Sequence, residues 1–231
     1  MRSLSDDLLA LLLPGRCPGC GRRGEPVCAS CAATMRVARP GRPIPGVSWS
    51  VAVFAYEGVA RELVARVKYR NERVAVRWLA AKLAQHCASA PFPFDVVTWI
   101  PASATRRTAR GIDHGALLAR AVAANLHVTP ERLLGRDNGP PQTGRALEDR
   151  RAGPTLHGIG EIAGRSVLVV DDVTTTGATL AAAARVLRAC GARDVLAATV
   201  ARTPRPADRA PRAAYTPNAV RFSGRGGRSR G

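Results

Sequence analysis

The sequence predicts an α/β fold in which a doubly wound, mostly parallel sheet follows a small cysteine-rich module. Three observations lead to this prediction. Short hydrophobic runs alternate with segments whose apolar residues recur at helical spacing, the order typical of parallel sheets. The chain has 231 residues, of which 46% are hydrophobic, so it can bury one full core and a small appended unit. Four of the six cysteines lie between Cys17 and Cys31.

Composition divides the chain into three parts. Residues 1–46 contain a predicted amphipathic helix at Ser5–Leu13, the cysteine module and a linker with several prolines. Residues 47–203 carry the alternating strands and helices of the main domain. Residues 204–231 are rich in proline, arginine and glycine, a composition that favours a disordered tail.

The first elements of the main domain are predicted from local periodicity. The run Trp49–Tyr56 alternates towards a strand, and the apolar residues of Val59–Val67 and Ala75–Cys87 recur at helical spacing. The short β-branched run Asp95–Ile100 ends at Pro101 and predicts a buried strand.

The second half of the domain repeats this alternation. Residues His114–Leu126 form the next predicted helix, and the polar, glycine- and proline-rich stretch Gly135–Gly160 predicts a loop at the rim of a site. A strand at Val167–Val170, an alanine-rich helix at Gly177–Cys190 and a last strand at Val195–Ala201 follow.

The charge balance is strongly basic. The net charge is +18, and the segment Arg202–Gly231, with eight arginines and one aspartate, accounts for +7 and leaves +11 on residues 1–201. Such a field favours polyanions, which include phosphorylated metabolites, nucleic acid and acidic proteins. Charge alone does not choose among them.

The longest apolar run near the start of the chain is too short to cross a membrane. Leu8–Leu13 follows two aspartates and falls far below the roughly 20 residues that a spanning helix needs. We therefore expect a cytoplasmic protein with no signal peptide and no membrane insertion.

The most informative segment reads VLVVDDVTTTGATL, which is a hydrophobic strand, an acidic pair, a hydroxyl-rich loop with one glycine, and a helix. The loop's amides and hydroxyls can hold a phosphate at the start of the helix, where the helix dipole also favours an anion. The two carboxylates can accept hydrogen bonds from ribose hydroxyls or help to hold hydrated Mg²⁺. The order therefore predicts a phosphorylated-sugar site. Its predicted residues are Asp171, Asp172, Val173, Thr174, Thr175, Thr176, Gly177, Ala178 and Thr179.

This segment has two other possible interpretations, a P-loop and an ordinary strand-to-helix turn. A P-loop is excluded because no lysine follows the glycine. An ordinary strand-to-helix turn with a solvated acidic pair remains open.

The cysteine module has the spacing of a metal site. Cys17 and Cys20 form one CxxC pair, and Cys28 and Cys31 form a second. Because the short linker Gly21–Val27 cannot bury a core of its own, the pattern favours a structural Zn²⁺ ion held by four thiolates. Reduced free thiols and an iron–sulfur centre are the alternatives.

The other cysteines and the histidines lack such patterns. Cys87 and Cys190 are predicted to be small buried hydrophobic residues rather than nucleophiles. Of the four histidines, only His114 is expected near a site, because it follows an arginine-rich segment.

The strand–acid–threonine segment resembles the phosphoribosyl pyrophosphate signature of type I phosphoribosyltransferases. From about Leu11 to Arg202 the chain is similar to the ComF/GntX family of competence and amidophosphoribosyltransferase-like proteins. The residues that carry this similarity are CPGCG and CASC, the pair Lys68 and Tyr69, IPASATRRTARGIDHGALLARAVA, the glutamine of PPQT and the arginine pair before AG. The resemblance implies a type I phosphoribosyltransferase-like fold that binds phosphoribosyl pyrophosphate with Mg²⁺, with Asp171 and Asp172 as catalytic residues.

Two departures from that family affect positions beside the expected site. Family members usually have a Gly-Phe-Asn-Gln run where this chain has Gly111–His114, and the threonine expected before PPQT is Gly139 or Pro140. Substrate selection by those side chains is therefore expected to differ here.

Phosphoribosyl transfer releases pyrophosphate, and its charge must be neutralised while the ribose gains oxocarbenium character. Arg106, Arg107 and Arg110, which follow the strand that ends at Pro101, are candidates for this role, as is Lys68. A solvated basic loop is the alternative for the arginines.

Two functions follow from the sequence. The first is a phosphoribosyltransferase that acts on a nitrogenous acceptor. The second, implied by the ComF resemblance, is a single-stranded DNA-binding protein of DNA uptake, recombination or utilisation, with a competence helicase or a recombination mediator as partner. In that case the phosphoribosyl site is regulatory or vestigial rather than catalytic. Because only 4% of the residues are aromatic, stacking platforms are few, and we expect DNA binding to be weak and salt-sensitive.

Overall fold

The computed structural model describes the cysteine module and most of the main domain. The described residues are 16–70, 73–103, 113–136 and 155–205. The predicted helix Ser5–Leu13 and all but the first residues of the predicted tail lie outside them.

A five-stranded parallel sheet forms the centre of the fold, beside a smaller two-stranded antiparallel sheet. The strands are β1 (Trp49–Ala55), β2 (Val96–Trp99), β3 (Thr129–Pro130), β4 (Leu134–Arg136), β5 (Leu156–Gly158), β6 (Ser166–Thr174) and β7 (Asp194–Arg202). The order in the central sheet is β1-β7-β6-β2-β3, and β4 pairs with β5 in the second sheet.

Helices cover both faces of the central sheet, so the predicted doubly wound parallel architecture is confirmed. The helices are α1 (Ala29–Ala33), α2 (Gly58–Arg70), α3 (Arg73–Cys87), α4 (His114–Leu126) and α5 (Ala178–Ala189). One face of the sheet packs against α2, α3, α4 and the cysteine module, and the other packs against α5 and the small antiparallel sheet.

The connections diverge between β2 and β6, which are neighbours in the sheet. From β2 the chain passes through α4 to β3 at one edge, whereas from β6 it passes through α5 to β7 on the other side. In open parallel sheets, ligands bind beside the carboxyl ends of the strands at such a switch point. The topology therefore predicts a ligand site at the carboxyl ends of β2 and β6.

Several predicted elements agree with the structure to within a few residues. The helix His114–Leu126 has the predicted bounds, and all four residues of β2 are buried, as the β-branched run indicated. The strand predicted at Val167–Val170 is longer than expected. It continues to Thr174 because residues beyond the hydrophobic run also pair with β7, including Asp171 with Thr199.

The prediction of a loop throughout Gly135–Gly160 was wrong at both ends of that stretch. Strands β4 and β5 pair there, and Leu134 and Leu156 are buried in the core beneath α5. The local glycine and proline content favours a loop, but burial of these leucines against residues distant in sequence stabilises strands instead. Residues 137–154 lie outside the described part of the chain.

The prediction for the two isolated cysteines holds for only one of them. Cys87 is buried, and burial raises the pKa of its thiol to about 12. Cys190 is exposed, contrary to the prediction, because it caps the carboxyl end of α5 beyond the last buried turn of that helix.

The cysteine module packs directly on the main domain. Cys17 and Met35 are buried in the same cluster as Leu63 of α2. A side chain at Gly19 would approach Val59, also on α2, to 3.0 Å. The Arg66 guanidinium on α2 donates a hydrogen bond to the backbone carbonyl of Arg16. Helix α2 is therefore the element on which the module rests.

None of the helices in the described part of the chain has the length and hydrophobicity that a membrane span requires.

Candidate functional site

A cleft of about 560 Å³ lies at the carboxyl edge of the central sheet. The ends of four adjacent strands form its floor, and α2, the start of α4 and the end of β4 form its walls. The residues that line the site include Tyr56, Lys68, Pro101, His114, Arg136, Asp171, Asp172, Thr175 and Thr203. The volume is within the range of about 300–1,000 Å³ that is usual for small-molecule sites.

The acidic pair at the end of β6 is held in place by hydrogen bonds on both members. The Asp171 Oδ1 atom accepts a hydrogen bond from the Asp172 backbone N–H at 2.8 Å. The Asp172 Oδ1 atom lies 2.8 Å from Lys68 Nζ, and both side chains are largely shielded from solvent. These two contacts orient both carboxylates toward the cleft before a ligand binds.

The threonine loop connects this pair to α5 and bounds a smaller cavity of about 130 Å³. The Thr176 Oγ1 atom accepts a hydrogen bond from the Ala178 N–H at 3.3 Å, and the Thr175 and Thr203 hydroxyls are 2.9 Å apart. Gly177 precedes the helix with φ of 83°, and a Cβ atom there would approach Ile44 to 3.0 Å. Because glycine has no Cβ atom, the loop can pass close to Ile44 and leave the amino end of α5 exposed to the cavity.

The start of α4 forms the wall on the β2 side. Asp113 caps this helix, since its side chain accepts a hydrogen bond from the Ala116 N–H at 3.2 Å. His114 is buried and lines the cleft, next to Ile100 and Pro101 at the end of β2. The expectation that His114 lies near a site is met in the structure.

Not every predicted site residue can be placed. The structure brings Lys68 into one cleft with Asp171, Asp172 and the threonine loop. Arg106, Arg107 and Arg110 lie outside the described residues, although Ala102 and Asp113 on either side of that segment line the cleft.

Tyr56, Arg136 and Thr203 are among the cleft residues that sequence reasoning missed. Tyr56 and Thr203 follow β1 and β7, and Arg136 ends β4. The sequence signal for Tyr56 and Thr203 is their position at the end of a predicted strand or two residues beyond one, because the carboxyl ends of parallel strands meet at one edge. Arg136 lies in the stretch that was predicted to be a loop.

The four cysteines of the module converge on one point. Their Sγ atoms all lie within 4.8 Å of one another, and those of Cys20 and Cys28 are 3.6 Å apart. A tetrahedral ion with zinc–sulfur bonds of about 2.3 Å places its sulfur atoms about 3.8 Å apart. The residues present therefore fit a four-thiolate metal site.

The close spacing of these thiols shifts their pKa values in opposite directions. The Ser30 hydroxyl, 3.2 Å from Cys28 Sγ, lowers the pKa of the Cys28 thiol to about 6. Hydrogen bonding to Cys28 raises the pKa of the Cys31 thiol to about 12. Four thiols at this spacing cannot all ionise without a cation, and a divalent ion would supply the missing charge.

Comparison with known proteins gives a family for one part of the chain. Residues 111–217 match the family model of the phosphoribosyl transferase domain, which covers the threonine loop and leaves the cysteine module outside. The adenine phosphoribosyltransferase of Mycobacterium avium is 39% identical over 95 residues, which cover 39% of this chain and 53% of that protein. The adenine phosphoribosyltransferase of Mycolicibacterium smegmatis is 44% identical over 90 residues, with coverages of 36% and 48%.

The chain thus spans about half the length of the curated relatives it matches. Among solved structures, it is similar to the glutamine phosphoribosylpyrophosphate amidotransferase from B. subtilis. That similarity has a TM-score of 0.42 and 23% identity and covers 58% of this chain and 30% of that one. The segment 111–217 therefore matches the phosphoribosyl transferase domain and is related in sequence to adenine phosphoribosyltransferases.

Proposed function

We propose that this protein is a phosphoribosyltransferase that binds phosphoribosyl pyrophosphate in the cleft at the end of β6. The observation that carries the proposal is the arrangement of the acidic pair beside the threonine loop at the switch point of the sheet. Both lie within the segment that matches the phosphoribosyl transferase domain.

Each part of the ligand has a complementary part of the cleft. The 5′-phosphate occupies the small cavity, where the loop from Thr174 to Thr179 and the amino end of α5 supply hydroxyl and N–H donors. The ribose hydroxyls donate hydrogen bonds to Asp171 and Asp172, whose carboxylates are already oriented. Binding of the phosphate and the ribose hydroxyls in these positions places C1 of the ribose above the floor of the main cleft.

The reaction is a displacement at C1. The C1–O bond to pyrophosphate breaks, and its electron pair leaves with pyrophosphate. A nitrogen lone pair of the acceptor forms the new C1–N bond, and the nitrogen's proton is lost to solvent. Lys68, Arg106, Arg107 and Arg110 are the proposed cations for the leaving group. A bound Mg²⁺ ion would neutralise further charge on the pyrophosphate, and the carboxylates of the acidic pair are suitable oxygen donors for its hydration shell.

Because the matched relatives are adenine phosphoribosyltransferases, we take a nitrogenous base as the class of acceptor.

Calorimetric titration with phosphoribosyl pyrophosphate and Mg²⁺ tests the proposal. Replacement of both Asp171 and Asp172 by Asn removes two charged hydrogen-bond acceptors, and we expect affinity to fall by roughly 100-fold or more. Asp194→Asn is the matched control, because Asp194 begins β7 at the opposite edge of the sheet. Failure of the folded wild-type protein to bind the ligand would refute the proposal.

We further propose that the module within residues 1–46 binds one structural Zn²⁺ ion through Cys17, Cys20, Cys28 and Cys31. A cytoplasmic location, where thiols stay reduced, belongs to this proposal. Zinc quantification near one equivalent per chain is the expected result. A folded preparation that contains no zinc would contradict it.

A second function, single-stranded DNA binding in DNA uptake or utilisation, is supported by the charge of the module. Arg16, Arg22 and Arg23 are exposed there, and Arg61 is exposed on the adjoining α2. Fluorescence anisotropy with an oligonucleotide, over a salt series and with or without residues 206–231, measures this binding. We expect affinity to drop with salt and with tail removal. Binding that depends neither on salt concentration nor on the tail would show that electrostatic attraction does not cause it.

A further inference from the structure

Helix α2 contacts the cysteine module on one side and the cleft on the other. Val59 and Leu63 pack on the module, whereas Ala65 and Lys68 line the cleft. We propose that the module regulates the cleft through this helix, so that a Zn²⁺ ion bound by the four cysteines keeps Lys68 in contact with Asp172. This inference rests on the proposed function and adds metal-dependent control of the same site.

The module and the residue that follows it hold α2 near both of its ends. The Arg36 guanidinium lies 3.0 Å from the Glu57 carboxylate, directly before the first turn of the helix. Near the other end, Arg66 donates a hydrogen bond to the backbone carbonyl of Arg16. At a rise of 1.5 Å per residue, these two contacts are about 13 Å apart along the helix axis. Because a helix of this length is stiff, a shift of the module moves α2 as one body.

Between these two contacts the module is packed closely on the helix. Cys17 is buried in the same cluster as Leu63. A Cβ atom at Gly19 would lie 2.6 Å from Cys31 Sγ and 3.0 Å from a methyl group of Val59. A proposed metal ligand and a side chain of α2 therefore flank the same glycine. A change in the position of that ligand is transmitted to the helix by direct contact.

A bound cation determines whether the module keeps this shape. The loop between the two CxxC pairs has no core of its own, because residues 21–25 are all exposed. In a module of this kind, the metal bonds supply much of the folding free energy. Loss of the ion disconnects the first CxxC pair from the second, and the contacts of Arg16 and Gly19 with α2 then loosen.

Lys68 is the residue through which movement of α2 reaches the acidic pair. It lies two positions after Arg66, so the same turn of the helix contacts both the module and the cleft. Its Nζ atom is 2.8 Å from Asp172 Oδ1, and a displacement of about 1 Å would take the two atoms beyond hydrogen-bonding distance. Strand β6 is paired with β2 and β7, so the acidic pair stays in place when the helix moves.

Measurement of ligand affinity in two metal states and two proteins tests the inference. Calorimetry under reducing conditions compares the zinc-loaded and zinc-depleted forms of the wild type and of Lys68→Met, with phosphoribosyl pyrophosphate and Mg²⁺ as the ligand. We expect depletion to weaken binding to the wild type several-fold to roughly ten-fold, because one charge-assisted contact is lost. Depletion should not change the affinity of Lys68→Met, which already lacks that contact. The control Lys82→Met, with its lysine over the Trp78 ring, should respond like the wild type.

A second measurement starts from the loaded protein and does not require the depleted form to fold. Coupling between two sites is reciprocal, so the ligand should strengthen zinc binding by the same factor. Competition with a chromophoric zinc chelator measures this effect. Saturating phosphoribosyl pyrophosphate should reduce the fraction of zinc removed from the wild type and from Lys82→Met, but not from Lys68→Met.

The outcomes separate this inference from the proposed function. Wild-type protein that binds the ligand equally well in both metal states would overturn the inference alone, as would a folded protein that takes up no zinc. An equal loss of affinity in Lys68→Met would also overturn it, because the metal would then act on the fold in general rather than through the lysine. Wild-type protein that binds no phosphoribosyl pyrophosphate in either state would overturn the proposed function together with the inference.

Discussion

The cysteine module and the cleft both concentrate ionisable groups, but they are assembled in different ways. The four thiols come from Cys17–Cys31, one short stretch of chain, and converge with Sγ atoms within 4.8 Å of one another. The cleft groups come from the ends of five strands and from three helices. The thiol cluster is therefore formed by local turns of one segment, whereas the cleft depends on the whole sheet. Helix α2 joins the two, since it packs on the module and carries Lys68 into the cleft.

The largest expected effect is the loss of a module ligand. Cys17→Ser removes a buried sulfur atom and one of four proposed metal bonds, and we expect the melting temperature to fall by more than about 10 °C. Thermal unfolding followed by circular dichroism, with zinc quantification, measures the change. Cys190→Ser, at an exposed thiol outside the cluster, should melt like the wild type. Equal stability of Cys17→Ser would show that the module needs no ion.

Gly177→Ala should affect the cleft more than the fold. The positive φ and the 3.0 Å approach to Ile44 make a side chain strained, at a stability cost of about 1–2 kcal/mol. Because the same turn shapes the phosphate cavity, we expect roughly ten-fold weaker binding of phosphoribosyl pyrophosphate. Gly164→Ala has a similar positive φ with open space around it and serves as the control. If both variants bind the ligand normally, the turn does not hold the phosphate.

Lys68→Met tests the link between α2 and the acidic pair. It removes the cation 2.8 Å from Asp172, and we expect phosphoribosyl pyrophosphate to bind several-fold to roughly ten-fold more weakly by calorimetry. Lys82→Met is a matched control on α3, where that lysine lies over the Trp78 ring rather than in the cleft. Unchanged affinity in Lys68→Met would remove Lys68 from the site.

The smallest expected effect concerns a surface ion pair away from both regions. Arg165 donates hydrogen bonds to Glu131 at 2.8 and 2.9 Å and so lowers the pKa of that carboxyl group. A lowered folded-state pKa stabilises the protein above the ordinary carboxyl pKa, and this contribution is lost as pH falls through the folded value. Because the pair is partly exposed, Glu131→Gln should cost less than about 1 kcal/mol at pH 7. Urea unfolding at pH 7 and pH 3 should show a larger difference at pH 7 than at pH 3, and equal differences at both would contradict this account.

The parts that could be predicted from the sequence are those built from contiguous residues. The acidic pair, the threonine loop and the two CxxC pairs each lie within one short segment, so their residue order was sufficient to predict that the members of each set lie together. The alternating elements were also predictable, because one face of each helix and both faces of the buried strands are apolar.

The remaining features depend on long-range pairing. Tyr56 and Thr203 become neighbours in the cleft only because β1 and β7 pair, which the local sequence does not specify. Because Leu134 and Leu156 are buried against α5, strands form at the two ends of a stretch whose composition predicts a loop. Cys190 has the character of a core residue, but its exposure is set by where α5 ends.

A crystal structure of the protein with phosphoribosyl pyrophosphate and Mg²⁺ would test the central claim most directly. The account predicts the 5′-phosphate against the loop from Thr174 to Thr179, with the ribose hydroxyls on Asp171 and Asp172. A ligand bound instead to the exposed arginines of the cysteine module, with the cleft at the end of β6 unchanged, would contradict it.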